Sequence, residues 1–305
     1  MADNLKLNEA LAANYALVDL RLRSWSGKRT DRGASDELIA QKHAVRDSGA
    51  FVKNLLASAD AELKAVHTWG NAMRSLVYSR TLPWSSTSDD GAKRGERVIA
   101  AAKTMEFLVE LAGVKREYDN SVLALAAVWP QRCASAIAAL GGLGDPGDYP
   151  MAGDLPGMFS VSVDIRPIPA QSDFSRLNVP AELASALGQR AAEQAEVQVA
   201  NAMAELQAKL VEGLDRLNTQ LSKHGAGETT RLYKSLITNL QGTVDMARSM
   251  NLNSNPKLAE LADKVEAKLL QAPIEAYKED PFKALQIAAE AKALCAEALI
   301  PDVWQ

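Results

Sequence analysis

The chain has 305 residues, of which 47% are hydrophobic and 24% are charged, and its net charge is −4. These proportions are typical of a soluble globular protein. The first 100 residues carry 15 Lys/Arg against 12 Asp/Glu, and the remainder carries 19 against 26. This argues against polyanion binding by the whole surface. Two interpretations remain: the positive residues of the first third form a local basic face, or they are part of an ordinary solvated surface.

Aromatic residues make up only 5% of the chain, and alanine supplies much of the apolar content. Small side chains let helices approach closely, so this composition favours helices packed on helices. Cys133 and Cys295 lie in Ala/Leu-rich contexts, which predicts buried thiols in a reducing compartment. The first residues do not show the basic region followed by an apolar region that is typical of a signal peptide. No apolar run approaches the ~20 residues that a membrane span needs. We therefore expect a cytoplasmic protein without a membrane partner.

Two short stretches alternate polar and apolar residues, the pattern of a β-strand. They are Val18–Arg29 and Phe159–Ile168. Because an isolated strand cannot satisfy its own backbone hydrogen-bonding groups, the two stretches are predicted to pair. The sequence thus predicts a small antiparallel sheet, two-stranded or larger, that joins residues near 17–26 and 158–168.

Helices are predicted over most of the remaining chain. The expected ranges are 35–47, 51–80, 95–140, 178–223, 228–250, 256–271 and 281–298, with Ser35, Asn178 and Asn255 as N-caps. Residues 5–14 are predicted to be a short polar-apolar lead into the first strand. The Ser/Asp/Gly-rich segment that follows Pro83 is predicted to be a loop, and Pro130 is expected to kink or split its helix.

The longest predicted helix has a regular apolar row. Its members are Met203, Leu206, Leu210, Leu214, Leu217 and Leu221. Their mean spacing is about 3.6 residues, the period of a straight helix, whereas a supercoiled seam repeats every 3.5 residues. The pattern therefore predicts a straight helix laid on other helices.

These elements together predict a mainly α protein, an elongated helical bundle with long helices and the small sheet. We divide it into residues 1–170, a helical region with the sheet, and residues 171–305, a long-helix bundle packed against it. The two are expected to form one continuous elongated unit.

No motif predicts a reaction. Gly142–Gly147 matches GxGxxG as a string, but a helix rather than a strand precedes it, so it is interpreted as a helix stop and turn. Asp89–Gly95 lacks P-loop spacing. The histidines and the paired helical carboxylates lack partners at metal-binding or catalytic spacing; they are His43, His67, His224, Glu193, Glu196, Glu260 and Asp263. We therefore predict no enzymatic activity, no cofactor and no metal site.

The densest basic and aromatic cluster lies on and after the first predicted strand. It consists of Arg21, Arg23, Trp25, Lys28, Arg29 and Arg32. In one interpretation the cations bind phosphates or an acidic protein and Trp25 stacks on an exposed base. In the other, charges protect an edge strand, Trp25 lies in the core and the arginines pair with helix carboxylates. The cluster is the candidate binding surface.

Several segments spread over most of the chain carry a family resemblance. They are Trp25–Arg29 (WSGKR), Thr81–Trp84 (TLPW), Gly147–Pro150 (GDYP), Phe159–Pro169 (FSVSVDIRPIP), Asp173–Phe174, Arg231–Leu240 and Leu252–Pro256. In these the chain resembles a family of uncharacterised helical proteins encoded by tailed bacteriophages and prophages. The resemblance implies a phage origin and expression inside an infected bacterium. It carries over no activity and no functional residues.

We therefore expect a non-enzymatic phage protein that acts by self-assembly or by binding host or phage proteins during infection. The expected partners are further copies of the chain and a host or phage protein. The alternative is a nucleic-acid-binding accessory protein of phage replication or recombination that uses the basic cluster.

Overall fold

The computed structural model describes residues 2–45, 49–56, 60–86 and 95–304. This part contains ten α-helices and is 69% helical, so the predicted mainly α class is confirmed. The helices are α1 Ala2–Asn14, α2 Arg32–Lys42, α3 Ala61–Arg80, α4 Thr104–Leu140, α5 Gln171–Phe174, α6 Ala181–Gly225, α7 Ser235–Ser249, α8 Pro256–Leu269, α9 Ile274–Glu279 and α10 Pro281–Ala298. The strands are β1 Tyr15–Arg23, β2 Lys28–Asp31, β3 Phe51–Asn54, β4 Leu82–Ser86, β5 Gly95–Ala100 and β6 Ser160–Pro167.

The chain forms two compact units, each built from separate stretches of sequence. The first unit comprises Met1–Asp19, Val77–Phe107 and Asp164–Gln305, and the second comprises Leu20–Leu76 and Leu108–Val163. The boundary predicted after residue 170 lies inside the last stretch of the first unit.

The main sheet has four strands in the order β4-β5-β1-β6. The predicted neighbours, β1 and β6, are confirmed, and β5 pairs antiparallel with β1 on its other side, with Tyr15 opposite Ala100. The first strand is shorter than predicted, because Gly27 adopts a φ of +68° and the chain turns there. Lys28 and Arg29 consequently belong to β2, which pairs with β3 in a separate two-stranded sheet.

Several predicted helix boundaries are wrong near this second sheet and β5. Residues 51–54 form β3 instead of a helix, because they pair with β2 and the Phe51 amide donates to the Ser35 hydroxyl at 2.9 Å. Residues 95–100 form β5, whose β-branched Val98 and Ile99 are buried. Residues 5–14 belong to α1, and residues 82–86 form β4. The predicted loop Asp89–Gly95 and the end of the helix predicted over 35–47 fall largely outside the described residues.

Of the two outcomes predicted at Pro130, a kink or a split, the split does not occur. Pro130 lies inside the single helix α4. A proline removes one backbone hydrogen bond of its helix, and the residue before it, Trp129, is anchored by tertiary contacts. The Trp129 side chain is buried, and its indole N–H donates to the Pro150 carbonyl at 2.8 Å.

One of the three predicted N-cap residues is confirmed. The Asn255 side chain accepts a hydrogen bond from the Lys257 amide, as predicted. Asp31, rather than Ser35, caps α2. Pro180, rather than Asn178, occupies the N-cap of α6 and offers no side-chain bond.

Helix α6 supplies the central apolar row of the first unit. It packs against α10, α7, α5 and α1. Every member of the predicted row is buried: Met203, Leu206, Leu210, Leu214, Leu217 and Leu221. This confirms the interpretation of the 3.6-residue period as a core helix.

Candidate functional site

The first half of the predicted basic cluster lies on β1 and just after it. Arg21 and Arg23 are exposed and two positions apart, so they share one face of the strand. The half-buried Trp25 packs edge-to-face on Trp129, with 5.3 Å between ring centroids, and its carbonyl oxygen lies 3.0 Å from Nε2 of His67. One side of the Trp25 ring is therefore occupied by the protein.

The second half of the cluster lies on β2 and at the start of α2. Arg29 pairs with Asp148 at 2.9 Å and donates to the Gly147 carbonyl at 3.1 Å, so it serves a structural contact. Lys28 and Arg32 are exposed, and their side chains have no ion pair or hydrogen bond within the described ranges. Because β1 and β2 belong to different sheets, no single strand face presents the whole cluster.

A buried ionic network lies beneath Arg29. The Lys53 side chain is only 5% exposed, and its ammonium contacts the carboxylates of Asp31 and Asp148 and donates to the Leu143 carbonyl. Hydrogen bonds to Asp148 and then to Asp31 raise the pKa of Lys53 above its ordinary value. The amine is therefore held protonated, which suits an ion pair and disfavours a nucleophile.

The network fixes the glycine-rich segment that resembled a dinucleotide motif. α4 ends at Leu140, the next residue Gly141 has a φ of +54°, and 3₁₀ turns follow at Gly141–Leu143 and Pro146–Asp148. A side chain at Gly144 would come within 2.5 Å of the Ile137 carbonyl oxygen. The interpretation of this segment as a helix stop and turn is confirmed.

Sequence reasoning missed Lys53, because residues 51–56 were predicted as part of a helix. No alternation in Phe51–Asn54 (FVKN) could have found it, because two apolar residues are followed by two polar ones. The partners Asp31 and Asp148 lie far away in sequence, so no local pattern could have identified them.

Helix α4 carries a long exposed row of mostly apolar residues in the second unit. The outer stripe, as we call it, recurs every 3.6 residues on average. It consists of Val109, Ala112, Arg116, Asn120, Leu123, Ala127, Gln131, Ala134 and Ala138, all exposed. Val109 is 69% exposed and Leu123 is 63% exposed, and Arg116 is the only charged member.

Helix α4 is long and apolar enough to cross a membrane. The stretch Ala101–Leu143 has an 18-residue window of mean hydropathy 1.4, of which only 17% is buried. Length and composition alone are weak evidence, since core helices of soluble proteins meet the same criteria. The expectation of no membrane partner stays a prediction.

The residues weighed for metal binding and redox chemistry lie apart. Among the residues that the structure describes, no three His, Cys, Asp or Glu side chains come together as a metal site would require. Cys133 and Cys295 are half-buried free thiols, and burial raises the pKa of both. A raised thiol pKa lowers the fraction of reactive thiolate at neutral pH.

Comparison of the chain with protein-family models, curated proteins and solved structures finds no match. The proposals below therefore rest on the geometry of the chain itself, and the phage resemblance stays a prediction.

Proposed function

We propose that this chain is a non-enzymatic protein that acts by self-assembly in the cytoplasm of an infected bacterium, through the outer stripe of α4. The observation that carries the proposal is the exposed row on α4, in which six of the nine members are apolar and the only charged member, Arg116, lies away from the centre. Contiguous exposed apolar surface of this kind marks interaction sites in soluble proteins. We also propose that the helices form an elongated bundle, as the sequence predicts.

The size of the outer stripe suits a second copy of the chain. From Val109 to Ala138 the helix runs about 45 Å at 1.5 Å per residue. A strip of this length and roughly helix width covers about 500 Å² on each partner, or about 1,000 Å² in total, which is near the lower limit of a specific interface. Binding to a host or phage protein would use the same surface.

Charge also favours a second copy in antiparallel orientation. In such a pair centred between Leu123 and Ala127, the two Arg116 side chains lie about 27 Å apart along the helix. Their repulsion is screened at that distance, because the Debye length is about 8 Å at physiological ionic strength. Each Arg116 then faces the small Ala134 of the partner.

A lipid bilayer fits this helix less well than a protein partner does. Arg132 of α4 pairs with Glu62 at 2.7 Å and with Asp60 at 3.5 Å. Insertion would place this charged group in hydrocarbon, where ionised side chains are costly.

Leu123→Glu tests the proposal. The substitution places two carboxylates close to the centre of the antiparallel pair, so we expect the dimer dissociation constant to rise at least tenfold. Light scattering after size exclusion should show the wild type near twice 32.8 kDa and the variant near 32.8 kDa.

The matched control is Leu183→Glu on α6, where the leucine is 48% exposed and outside the outer stripe. It should leave the mass unchanged. A variant Leu123→Glu that keeps the wild-type mass, or wild-type protein that floats with lipid vesicles instead of dimerising, contradicts the proposal.

A second candidate function is nucleic-acid binding, favoured by the exposed side chains of Arg23, Lys28 and Arg32, which lack ion pairs in the described part of the chain. It predicts a gel shift at 50 mM salt that weakens by 200 mM, since phosphate contacts release counterions. Triple replacement of these residues by alanine should abolish the shift.

The control for this experiment is Lys64→Ala/Lys115→Ala, which removes two exposed lysines of the same unit. Absence of any shift with wild-type protein at low salt would eliminate this candidate.

A further inference from the structure

A cavity of about 370 Å³ opens in the first unit between α6, α7 and the segment that connects them. Ligand pockets range from about 300 to 1,000 Å³, so this one has the size of a small ligand. Gly213 on α6 and Leu240 on α7 both line the cavity, and a side chain at position 213 would come within 3.2 Å of that leucine. The absence of a side chain at Gly213 therefore lets the two helices approach closely beside the cavity.

The lining carries more positive than negative charge, in a chain whose net charge is −4. Lys209, Arg216 and Arg231 line it, against one carboxylate, Glu212. Neither arginine has an ion pair or a hydrogen bond from its side chain in the described ranges. Lys209 donates to the Tyr78 carbonyl at 3.2 Å and lies 3.8 Å from a carboxylate oxygen of Glu205.

A second cavity of this unit, of about 450 Å³, has ion-paired cations in its lining. Its Lys103 pairs with Glu106 at 3.0 Å, and its Arg248 pairs with Asp263 at 2.7 Å and also with Glu266. Lys103 and Arg248 are therefore neutralised by the protein, whereas Arg216 and Arg231 keep their donors available for an anion. A guanidinium group binds phosphate oxygens with two parallel hydrogen bonds.

The cavity between α6 and α7 also has side chains that suit a flat polar ring, such as a nucleobase. Tyr233 lines it with a side chain that is 58% exposed, and Asn239 and Gln220 add amide groups. The Gln220 amide oxygen accepts from the Thr230 hydroxyl at 2.8 Å, which leaves its NH₂ group to donate to a ligand. Aromatic faces stack on nucleobases, and amides pair with their edges.

We propose that this cavity binds a nucleotide, with its phosphate on Arg216 and Arg231 and its base against Tyr233. The nucleotide comes either free in solution or as the end of a nucleic-acid strand. This site lies outside the outer stripe and outside the basic cluster of β1 and β2, so its test is independent of theirs.

Calorimetric titration with AMP and with a short oligothymidylate tests the proposal. Each arginine supplies charge-assisted hydrogen bonds, so we expect Arg216→Ala and Arg231→Ala each to weaken binding about tenfold. Tyr233→Ala should weaken AMP binding at least fivefold and leave the binding of inorganic phosphate unchanged. Tighter binding of AMP than of the oligonucleotide assigns the free nucleotide, and the reverse order assigns a strand end.

The control variant is Arg190→Ala, an exposed arginine of the same helix outside the cavity. It should bind like the wild type. The proposal is overturned if wild-type protein binds neither ligand at low salt, or if Arg216→Ala/Arg231→Ala binds as tightly as Arg190→Ala does.

Discussion

Lys53→Met is expected to destabilise the second unit by about 3 kcal/mol or more. The substitution removes the ammonium that lies between Asp31 and Asp148, so that Asp148, whose side chain is 5% exposed, keeps only the half-exposed Arg29 as its cation partner. Removal of one partner of a buried ion pair typically costs about 3 to 5 kcal/mol, because the other charge stays buried. Urea unfolding, together with amide hydrogen exchange of β2 and β3, measures the loss.

Lys115→Met is the matched control for this prediction. Lys115 pairs with Asp119 on α4, but both side chains are about half exposed, at 46% and 50%. Exposed pairs contribute about 0.5 kcal/mol or less. Equal losses in the two variants would mean that the Lys53 network does not hold this unit together.

The raised pKa of Lys53 also predicts how its contribution depends on pH. A group whose pKa is higher in the folded state stabilises that state fully below its unfolded value, which is 10.5 for lysine. The stabilisation is lost as the pH rises through the folded pKa. The stability difference between wild type and Lys53→Met should therefore be constant at neutral pH and shrink above about pH 10.5.

Trp129→Ala is expected to cost the second unit about 3 to 5 kcal/mol, the usual loss for a buried tryptophan. The ring is 1% exposed and contacts Trp25 and Tyr149 edge-on, at centroid distances of 5.3 and 6.4 Å. Its removal leaves a cavity and an unpaired Pro150 carbonyl. Chemical unfolding followed by circular dichroism measures the effect.

Trp129→Phe separates the two contributions. It keeps much of the apolar contact and loses the hydrogen bond, so we expect a loss of about 1 to 2 kcal/mol. If the alanine and phenylalanine variants are equally stable, packing around Trp129 contributes less than the structure implies.

The elements that could be predicted from sequence are those whose stability comes from a regular apolar period. The row from Met203 to Leu221 identified α6, and Asn255 with Pro256 marked the start of α8. β1 and β6 were recognised by alternation, and their adjacency followed from the need to satisfy strand backbones. These signals are local or require only one inference about pairing.

The missed elements depend on contacts distant in sequence. β3 has four residues, too few for a period, and it is defined by pairing with β2 and by the Ser35 hydroxyl. The Lys53 network joins residues 31, 53 and 148, so neither its burial nor its charge balance follows from a local pattern.

The candidate binding surfaces likewise combine local features, which the sequence contains, with contacts between distant residues, which it does not show. The basic cluster was visible as a run of sequence, but its separation onto two sheets and the pairing of Arg29 with Asp148 were not. The outer stripe has a helical period that the sequence does contain. What sequence could not show is which side of α4 the rest of the unit covers.

Sedimentation velocity of the wild-type protein over a hundredfold range of concentration tests self-assembly through the outer stripe most directly. The proposal predicts a boundary that shifts from the 32.8-kDa monomer to a species of twice that mass, and Leu123→Glu should suppress the shift. A single 32.8-kDa species at every concentration would contradict it.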